Sequence, residues 1–321
     1  MTHLNASSRI LFTAAEALGI TCTTFGTDDL ILMEKDGKRW YTRGSRTSLQ
    51  SSVGKTIADQ KPLTKQILQH FHLPTARGCT VKTAADLAQL AALTFPLVMK
   101  PVDESHGNGV VVGIKTAAEA AQKFSAQEKG KVLFEEMLHG TEYRIVCVNF
   151  QFVAAAYRKP AHVTGNGTAT IQELITEKNN HPWRGAGHQS NLSLIIVDDT
   201  VLEYLHEQNC TLETIPSAGQ EVLLRKTANL STGGEAWDVT DTVCAENRAL
   251  FERIARVCDL NVIGIDMMCD SLEKPISEQK SAGVIEVNAS PGLRMHHFPM
   301  QGTPRDVAGE ILRYVLTSLH E

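Results

Sequence analysis

The spacing of apolar and polar positions divides the first part of the chain into one helix and three short strands. Helical spacing over residues 6–18 predicts a helix that ends at Gly19. Three short runs of alternating character predict strands near 20–25, 29–34 and 38–42. The polar stretch 43–55 predicts a loop or linker. Residues 1–60 are therefore expected to form a small N-terminal α/β cap.

The next segment, residues 61–140, mixes helices and strands. A helix is predicted from Lys61 to His70, where Pro74 follows as a stop signal. Further elements are predicted as strands near 78–81, 96–100, 109–114 and 131–136 and as helices at 83–92 and 116–124. Such a mixture indicates an α+β or α/β subdomain.

Residues 141–321 continue the mixed pattern and form the third predicted segment. Strands are predicted near 143–157, 193–197, 220–225, 261–269 and 282–288, and helices at 171–177, 199–208, 245–258 and 305–319. Two stretches, 160–190 and 226–242, are rich in Gly, Asn, Thr and His and are predicted as long loops. Loops of that length in a compact domain usually bind ligands or close over them.

Composition and charge narrow the class of protein. The 321 residues are 42% hydrophobic and 21% charged, and the net charge of −5 gives no basic balance for nucleic acid or an anionic membrane. No apolar run approaches the ~18 residues of a membrane span, and the first residues do not resemble a signal peptide. Seven cysteines without a Cys-x-x-Cys pair predict reduced thiols. We therefore expect a cytoplasmic protein.

A strand that delivers a lysine into a glycine-rich loop is the first candidate site. Lys100 and Pro101 end the strand, and Ser105, Gly107 and Gly109 follow. Backbone N–H groups of such a loop can surround polyphosphate oxygens, and the lysine adds a positive charge. An ordinary strand and glycine turn would give the same pattern. A P-loop at Gly54-Lys55-Thr56 is excluded because residue 49 is leucine, and a dinucleotide fingerprint at Gly107–Gly109 is excluded because residue 112 is not glycine.

A second candidate begins where an apolar strand, Val132 onwards, reaches Glu135 and Glu136 and then a glycine turn before Glu142. The segment can be interpreted as a plain surface hairpin. It can equally be an adenine-binding edge, in which a carboxylate and backbone groups contact the base and a later acid contacts the ribose.

The third candidate is a group of oxygen donors on apolar strands. Glu286 and Asn288 are two residues apart on one strand and so share a face, and Asp266 lies on an earlier apolar strand. Unpaired charges on buried strands are costly. Convergence on Mg²⁺ would remove that cost, since Mg²⁺ prefers a few carboxylates together with substrate phosphates. A salt-bridged core is the alternative.

Two arginines and a histidine complete the candidates. Arg294 follows the Glu286 strand and a Pro-Gly turn, and Arg225 ends another apolar strand just before the loop 229–234. Arg294 could reach over the metal, but either arginine could simply be solvated. His106, in the glycine-rich loop, is either a base for an amine or a plain loop residue.

Taken in order along the chain, these motifs resemble the ATP-grasp superfamily. The similarity is greatest to the ATP-grasp half of cyanophycin synthetase, followed by the ATP-grasp module of bifunctional glutathione synthetases. The strings that carry the resemblance are Lys61-Pro-Leu-Thr-Lys65, Met99-Lys100-Pro101 with its glycine loop, Pro160-Ala-His162-Val-Thr-Gly-Asn-Gly, Ala228-Asn-Leu-Ser-Thr-Gly-Gly234, Asp238-Val-Thr-Asp241 and Glu286-Val-Asn-Ala-Ser-Pro-Gly-Leu-Arg-Met-His296. The resemblance implies an α+β fold in which two subdomains clasp ATP behind the N-terminal cap.

The resemblance also implies a role for each candidate residue. The ATP-binding positions are the phosphate lysines Lys61 and Lys100, the loop residues Ser105, Gly107 and Gly109, the adenine acid Glu135 with Glu136 and the Leu138 backbone, the ribose acid Glu142, and Arg158. The substrate-binding positions are Arg225, Asn229, Ser231 and Gly233. The metal ligands are Asp266, Glu286 and Asn288, and the catalytic positions are Arg294 and His106.

The implied activity is ATP-dependent joining of a carboxylate to an amine through an acyl phosphate. Mg²⁺ is the expected metal, with Mn²⁺ as a substitute, and the expected substrates are amino acids or a short peptide. The additional domains of cyanophycin synthetase and of the glutathione enzymes have no counterpart in this sequence. We therefore expect the protein to add one amine to one carboxylate, or to depend on a separate partner.

The alternatives are a glutathione-synthase-like or D-alanine-type ligase and a non-catalytic ATP-binding regulator. Nucleic-acid and membrane partners are not expected, and a homodimer is the assembly considered.

Overall fold

The computed structural model describes residues 4–27, 29–102, 109–127, 130–185 and 190–319. The predicted site residues Ser105, His106 and Gly107 lie outside these ranges. The α-helices in chain order are α1 (Ala6–Ala17), α2 (Ser52–Asp59), α3 (Lys61–His70), α4 (Ala117–Ser125), α5 (Ile171–Asn179), α6 (Asp199–Glu207), α7 (Ala245–Val257), α8 (Arg294–His297) and α9 (Val307–Ser318). Short 3₁₀ helices cover Ala84–Ala92, Leu230–Thr232, Thr240–Thr242 and Ile276–Glu278. Within these ranges, no helix is both long and apolar enough to cross a membrane.

The strands are mostly short, and many end at the turns that the sequence predicts. In chain order they are β1 (Thr21–Phe25), β2 (Leu30–Lys35), β3 (Lys38–Arg43), β4 (Arg46–Thr47), β5 (Gly78–Val81), β6 (Leu97–Pro101), β7 (Val111–Ile114), β8 (Val132–Glu136), β9 (Thr141–Val148), β10 (Gln151–Lys159), β11 (His162–Thr164), β12 (Arg184–Gly185), β13 (Leu192–Ser193), β14 (Glu221–Leu223), β15 (Glu235–Asp238), β16 (Val262–Cys269) and β17 (Gly283–Asn288).

The chain divides into two compact units, each made of separate stretches. The first unit contains residues 1–48, 153–240 and 291–321, and the second contains residues 49–152 and 241–290. The predicted boundaries at residues 60 and 140 do not coincide with this division. Local patterns cannot show that a chain leaves a unit and returns to it, because that depends on contacts between distant residues.

The second unit contains a four-stranded antiparallel sheet in the order β5-β8-β6-β7. The apolar side of this sheet packs against the 3₁₀ helix Ala84–Ala92 and α4 through the buried residues Val81, Leu90, Leu97, Met99, Ile114, Ala120, Val132 and Phe134. In the same unit β16 lies between β9 and β17, antiparallel to both. The site residues of this unit are carried by these two groups of strands and by α3.

The first unit contains the N-terminal sheet, in the order β1-β2-β3-β4, and α1 packs against α9. A second apolar core joins α5 and α6 to the β11–β14 pair. Both helices are capped at their N-termini: Thr170 and Glu173 form a capping box at α5, and Asp198 caps α6. β10 pairs with β15 in this unit, which brings Arg158 opposite Ala236.

Most predicted elements are confirmed, but four expectations were wrong. The stretch 43–55 contains β4 and the start of α2 rather than a loop. The single strand predicted at 143–157 is two strands, because the chain turns at Asn149 and Phe150 with positive φ. The strand predicted at 193–197 covers only the two residues Leu192–Ser193. The predicted loops contain strands that were not expected: β11 lies within 160–190 and β15 within 226–242, whereas α5 confirms the helix predicted at 171–177.

Candidate functional site

One buried carboxylate in the second unit is shared by two lysines. Glu135, on β8, forms ion pairs with Lys65 on α3 and with Lys100 at the end of β6. β6 and β8 are adjacent antiparallel strands, which brings Lys100 close to Glu135. The ammonium group of Lys65 also donates to the Thr75 hydroxyl at 3.1 Å and to the Ala76 carbonyl at 3.0 Å. We call Lys65, Glu135 and Lys100 the lysine–glutamate trio.

The trio carries more positive than negative charge in a buried environment. Burial, together with the Lys100 cation, lowers the pKa of Lys65 to about 7. Burial likewise lowers the pKa of Lys100 to about 8, although the nearby Glu286 carboxylate opposes the shift. A bound anion would favour the charged form of both lysines. The trio therefore has the electrostatics of a site for a phosphate group.

Lys65 was not predicted as a site residue, and its position in sequence could have identified it. Lys61 and Lys65 are four residues apart on α3 and therefore lie on the same helix face. Lys61, the predicted phosphate lysine, is the first residue of α3. Its charge lowers the pKa of Lys100, although burial and the Glu286 carboxylate have larger effects on that pKa. Lys61 is therefore close enough to Lys100 to act on the same ligand.

The residues predicted to bind adenine and ribose take different positions around the trio. The Glu135 carboxylate faces the two lysines, so its predicted contact with adenine stays a prediction. Glu136 accepts a hydrogen bond from the Thr94 N–H at 2.9 Å and pairs with Arg77 at 3.3 Å. Glu142 lies on β9, where its charge acts on Lys100. Leu138 follows β8 and packs near Gly283.

The predicted metal ligands come together on adjacent strands. In the β16–β17 register Asp266 is opposite Glu286, and Gly264 is opposite Asn288, so the three side chains share one region of the sheet. The Asn288 amide nitrogen lies 3.5 Å from a Glu286 oxygen. Burial and the neighbouring Asp266 carboxylate raise the pKa of Glu286. We call Asp266 and Glu286 the carboxylate pair.

Arg144 was not predicted, yet it binds one member of the carboxylate pair. It lies on β9 directly opposite Asp266, and its guanidinium donates to both carboxylate oxygens, at 2.9 Å from Nη2. Burial disfavours the Arg144 cation, but Asp266 outweighs that effect and the pKa of Arg144 is raised. Asp266 therefore forms a buried ion pair, as the alternative of a salt-bridged core predicts.

The donor set suits Mg²⁺. Two close carboxylates and an amide oxygen are hard oxygen ligands, and a bound cation would oppose the effect of burial and Asp266, which raise the pKa of Glu286. No cluster of three or more His, Cys, Asp or Glu side chains suited to a metal occurs among the described residues. A Mg²⁺ ion here would therefore need further oxygens, such as those of phosphates.

The first unit carries Arg294 and the predicted substrate loop. Arg294 starts α8 and donates from Nη1 to the Ser190 carbonyl at 2.8 Å. Burial and the nearby Arg9 lower the pKa of Arg294. Arg158, predicted with the ATP-binding residues, instead donates to the Asn229 side chain at 2.9 Å and to the Ala228 carbonyl at 3.2 Å. It therefore supports the loop 229–234 in this structure.

The other predicted substrate residues flank that loop. Arg225 forms an ion pair with Asp198, the N-cap of α6, at 2.5 Å. Ser231 lies in the 3₁₀ helix Leu230–Thr232, and Gly233 ends it with a left-handed φ of 93°. Gly109, the described end of the glycine-rich loop, has a φ of 67°. The roles assigned to these residues stay predictions.

Comparison with known proteins identifies relatives along nearly the whole chain. The chain is 34% identical over 323 residues to the cyanophycin synthetase of Geminocystis herdmanii, covering 99% of this chain and 37% of that protein. It is 32% identical over 327 residues to the bifunctional glutathione biosynthesis protein of Desulfotalea psychrophila, covering 97% of this chain and 41% of that protein. The chain thus spans about two fifths of the length of these relatives.

A solved structure agrees in fold. The bifunctional glutathione synthetase of Pasteurella multocida superimposes with a TM-score of 0.79 and 27% identity, covering 98% of this chain and 44% of that one. No family model matches the chain.

Proposed function

We propose that the chain is an ATP-grasp ligase that joins a carboxylate to an amine in an ATP-dependent reaction, because it resembles the relatives named above along nearly its whole length. The proposed pathway has two steps. A carboxylate oxygen attacks the γ-phosphorus of ATP, which gives an acyl phosphate and ADP. An amine then attacks the acyl carbon, which gives an amide and releases phosphate. The relatives named above support amino acids or a short peptide as the substrates.

The observation that carries this proposal is the opposite charge of the trio and the carboxylate pair in one unit. Lys65 and Lys100 lie on one side with lowered pKa values, and Glu286 lies close enough to Lys100 to affect its pKa. A phosphate chain carrying Mg²⁺ would add negative charge beside two lysines that share one carboxylate, and a cation beside the two opposed carboxylates Asp266 and Glu286. A purely structural salt bridge would need neither.

Each group has a part in this reaction. Lys61, Lys65 and Lys100 would bind phosphate oxygens and spread the charge that develops on the transferred group. Asp266, Glu286 and Asn288 would hold Mg²⁺, which supplies neutralisation of phosphate charge when it is bound. Arg294 would stabilise the acyl phosphate and the oxyanion of the second step. Glu135, the Leu138 backbone and Glu142 remain the proposed contacts to adenine and ribose.

A phosphate-release screen tests the proposal. Purified protein is incubated with Mg·ATP and with amino acids and short acidic peptides, singly and in pairs, and products are identified by mass spectrometry. A ligase releases phosphate with a matched carboxylate and amine and forms a product lighter than their sum by one water. γ-Glutamylcysteine with glycine tests the glutathione-synthase-like alternative directly. ATP binding without phosphate release in any combination would instead support a non-catalytic regulator.

A further inference from the structure

A second buried charge cluster, in the first unit, has no part in the reaction described above. Glu235, the first residue of β15, is 4% exposed and accepts hydrogen bonds from Arg184 at 2.7 Å and from Lys178 at 2.8 Å. His162 lies 3.8 Å away. We call His162, Lys178, Arg184 and Glu235 the Glu235 cluster. It joins β11, α5 and β12 to the residue that directly follows the loop 229–234.

The hydrogen bonds within the Glu235 cluster are mutually consistent. His162 Nδ1 donates to the Pro160 carbonyl at 3.0 Å, which leaves Nε2 free to accept from Lys178 at 3.1 Å. Lys178 also donates to the His162 carbonyl at 2.9 Å. The neutral histidine and the two cations therefore surround one carboxylate, and the cluster joins the four elements β11, α5, β12 and β15.

Arg184 extends this cluster into the predicted substrate loop. Its second terminal nitrogen, Nη1, donates to the Gly233 carbonyl at 3.1 Å and to the Ser193 carbonyl at 2.7 Å. One guanidinium thus ties the end of the loop to β13, while its other nitrogen is held by Glu235. Lysine could not reproduce this geometry, because its ammonium group is a single point and not a planar fork.

The backbone around Gly233 has little room to adjust. Gly233 has a left-handed φ of 93°, and a Cβ there would lie 2.6 Å from Ile195 Cγ1 and 2.9 Å from Ile195 Cα. Ile195 is itself fixed by two hydrogen bonds with the Asn179 side chain, at 2.8 and 2.9 Å. The carbonyl that Arg184 holds therefore sets the position of a turn packed against a rigid neighbour.

Arg184 also supports the segment that Arg294 contacts. Gly185 follows Arg184, and a Cβ on Gly185 would lie 2.0 Å from the Ser190 hydroxyl, so Ser190 packs closely against this strand. The Ser190 carbonyl is the acceptor for Arg294 Nη1. The Arg184 strand therefore lies next to both the substrate loop and the residue that holds Arg294.

We infer that Arg184, held by Glu235, is a positioning residue that fixes the loop 229–234 and the Arg294 guanidinium for the proposed reaction. The catalytic role of Arg184 rests on the proposed ligase activity. The fixing of the loop 229–234 and of Arg294 by Arg184 does not depend on that activity. Displacement of reacting groups by about 1 Å can cost on the order of 10²-fold in rate. Loss of the Arg184 fork should therefore reduce turnover without changing the nucleotide site, whose residues lie in the other unit.

The matched pair of variants is Arg184→Lys and Arg305→Lys. Arg305 forms another ion pair in the same unit, partly buried, with Asp238 at the far end of β15 from Glu235. Both variants keep the charge and lose the fork. Hydrogen–deuterium exchange is measured on the protein alone, at a temperature where thermal unfolding shows both variants to be folded.

We expect Arg184→Lys to speed amide exchange at least tenfold in residues 190–195 and 229–235, with Arg305→Lys at the wild-type rate there. With the substrate pair from the screen, Arg184→Lys should lower kcat about 10–100-fold at an unchanged KM for ATP. Wild-type exchange in both segments would overturn the inference, and so would equal losses in the two variants in proportion to their Tm. If wild-type protein joins no substrates, the ligase proposal fails, while the exchange measurement still decides the structural part.

Discussion

Glu286 and Glu235 are both glutamates within buried charge clusters, yet the two clusters differ in electrostatic balance. Burial and Asp266 raise the pKa of Glu286, and the nearby lysines of the trio have lowered pKa values. Burial opposes the Glu235 carboxylate as well, but Lys178, His162 and Arg184 outweigh it and lower the pKa of Glu235. Both regions contain two cations that share one buried carboxylate, Glu135 or Glu235. They differ because Glu286 lies opposite a second carboxylate, Asp266, whereas the groups around Glu235 are cationic. A carboxylate beside another carboxylate suits the binding of a cation, whereas a carboxylate among cations can stabilise the fold by itself.

The largest expected effect tests the metal site proposed around Glu286. Glu286→Gln should lower the rate of Mg·ATP-dependent ligation by about 10³-fold or more, because the carboxamide is neutral and a weaker ligand for Mg²⁺. The measurement is phosphate release over a range of Mg²⁺ concentrations. Glu310→Gln, on the exposed face of α9, is the control and should retain full activity. A Glu286→Gln protein with normal activity at ordinary Mg²⁺ would remove Glu286 from the metal site.

The same substitution type should have opposite effects on stability in the two regions. Glu235→Gln leaves Arg184 and Lys178 buried without a carboxylate, so it should cost about 3–5 kcal/mol of unfolding free energy. Glu286→Gln should leave stability unchanged or increase it, because it removes one of two repelling carboxylates. Urea unfolding with a chelator present measures both.

The pH dependence sharpens this comparison. A lowered pKa means that Glu235 stabilises the fold above its unfolded pKa and that this contribution is lost as pH falls through the folded value. A raised pKa means the reverse for Glu286: its ionised form costs stability, and the cost disappears as pH falls. Glu286→Gln should therefore differ from wild type in unfolding free energy more at pH 7 than at low pH. Equal destabilisation by both substitutions at pH 7 would contradict the distinction between the two regions.

The next prediction concerns Arg294. Its guanidinium should stabilise the charge that develops during the reaction more than it stabilises bound ATP. Arg294→Ala should lower kcat by about 10²–10³-fold, equivalent to roughly 3–4 kcal/mol, with ATP binding near normal. Calorimetric titration of ATP and quantification of the amide product are performed on the same variant. Loss of ATP binding would move Arg294 into the nucleotide site, and normal ligation would refute its catalytic role.

Local pattern was sufficient for most helices and strands and for the carboxylate pair. Glu286 and Asn288 could be placed on one face because strand geometry has a fixed period of two, and Asp266 stood out as an acid in an apolar run. Arg144 and Arg184 could not be found in this way. Each is defined by a carboxylate far along the chain, Asp266 or Glu235, and no spacing rule connects residues that meet only through tertiary structure.

The composition of loops misled the sequence analysis for a related reason. Residues 226–242 are rich in polar and small residues, but Glu235–Asp238 forms β15 because β10 pairs with it in register. Strand formation there depends on a partner and on burial rather than on intrinsic preference. For Lys65 the spacing from Lys61 indicates a shared helix face, but the burial of its side chain against Glu135 depends on a residue far along the chain.

The smallest expected effect is a pH dependence of ATP affinity that arises from the trio. Burial and Lys100 lower the pKa of Lys65 to about 7, so Lys65 loses its charge as pH rises from 7 to 9 in the ligand-free protein. Bound phosphate favours the charged form, so ATP binding should take up protons and weaken by about tenfold over this range, corresponding to a shift of one pKa unit. The unfolded state binds more protons than the folded state above pH 7, so this group also makes unfolding free energy rise with pH. Burial lowers the pKa of Lys100 to about 8, so Lys100 titrates in the same pH range.

Replacing Lys65 by arginine, which stays charged, should reduce the slope of ATP affinity against pH, whereas Lys55→Arg on the exposed part of α2 should not. Calorimetric titration of Mg·ATP at several pH values, in buffers of different ionisation enthalpy, measures affinity and proton uptake together. Wild-type affinity and proton uptake that do not change between pH 7 and 9 would show that the trio does not bind the phosphates.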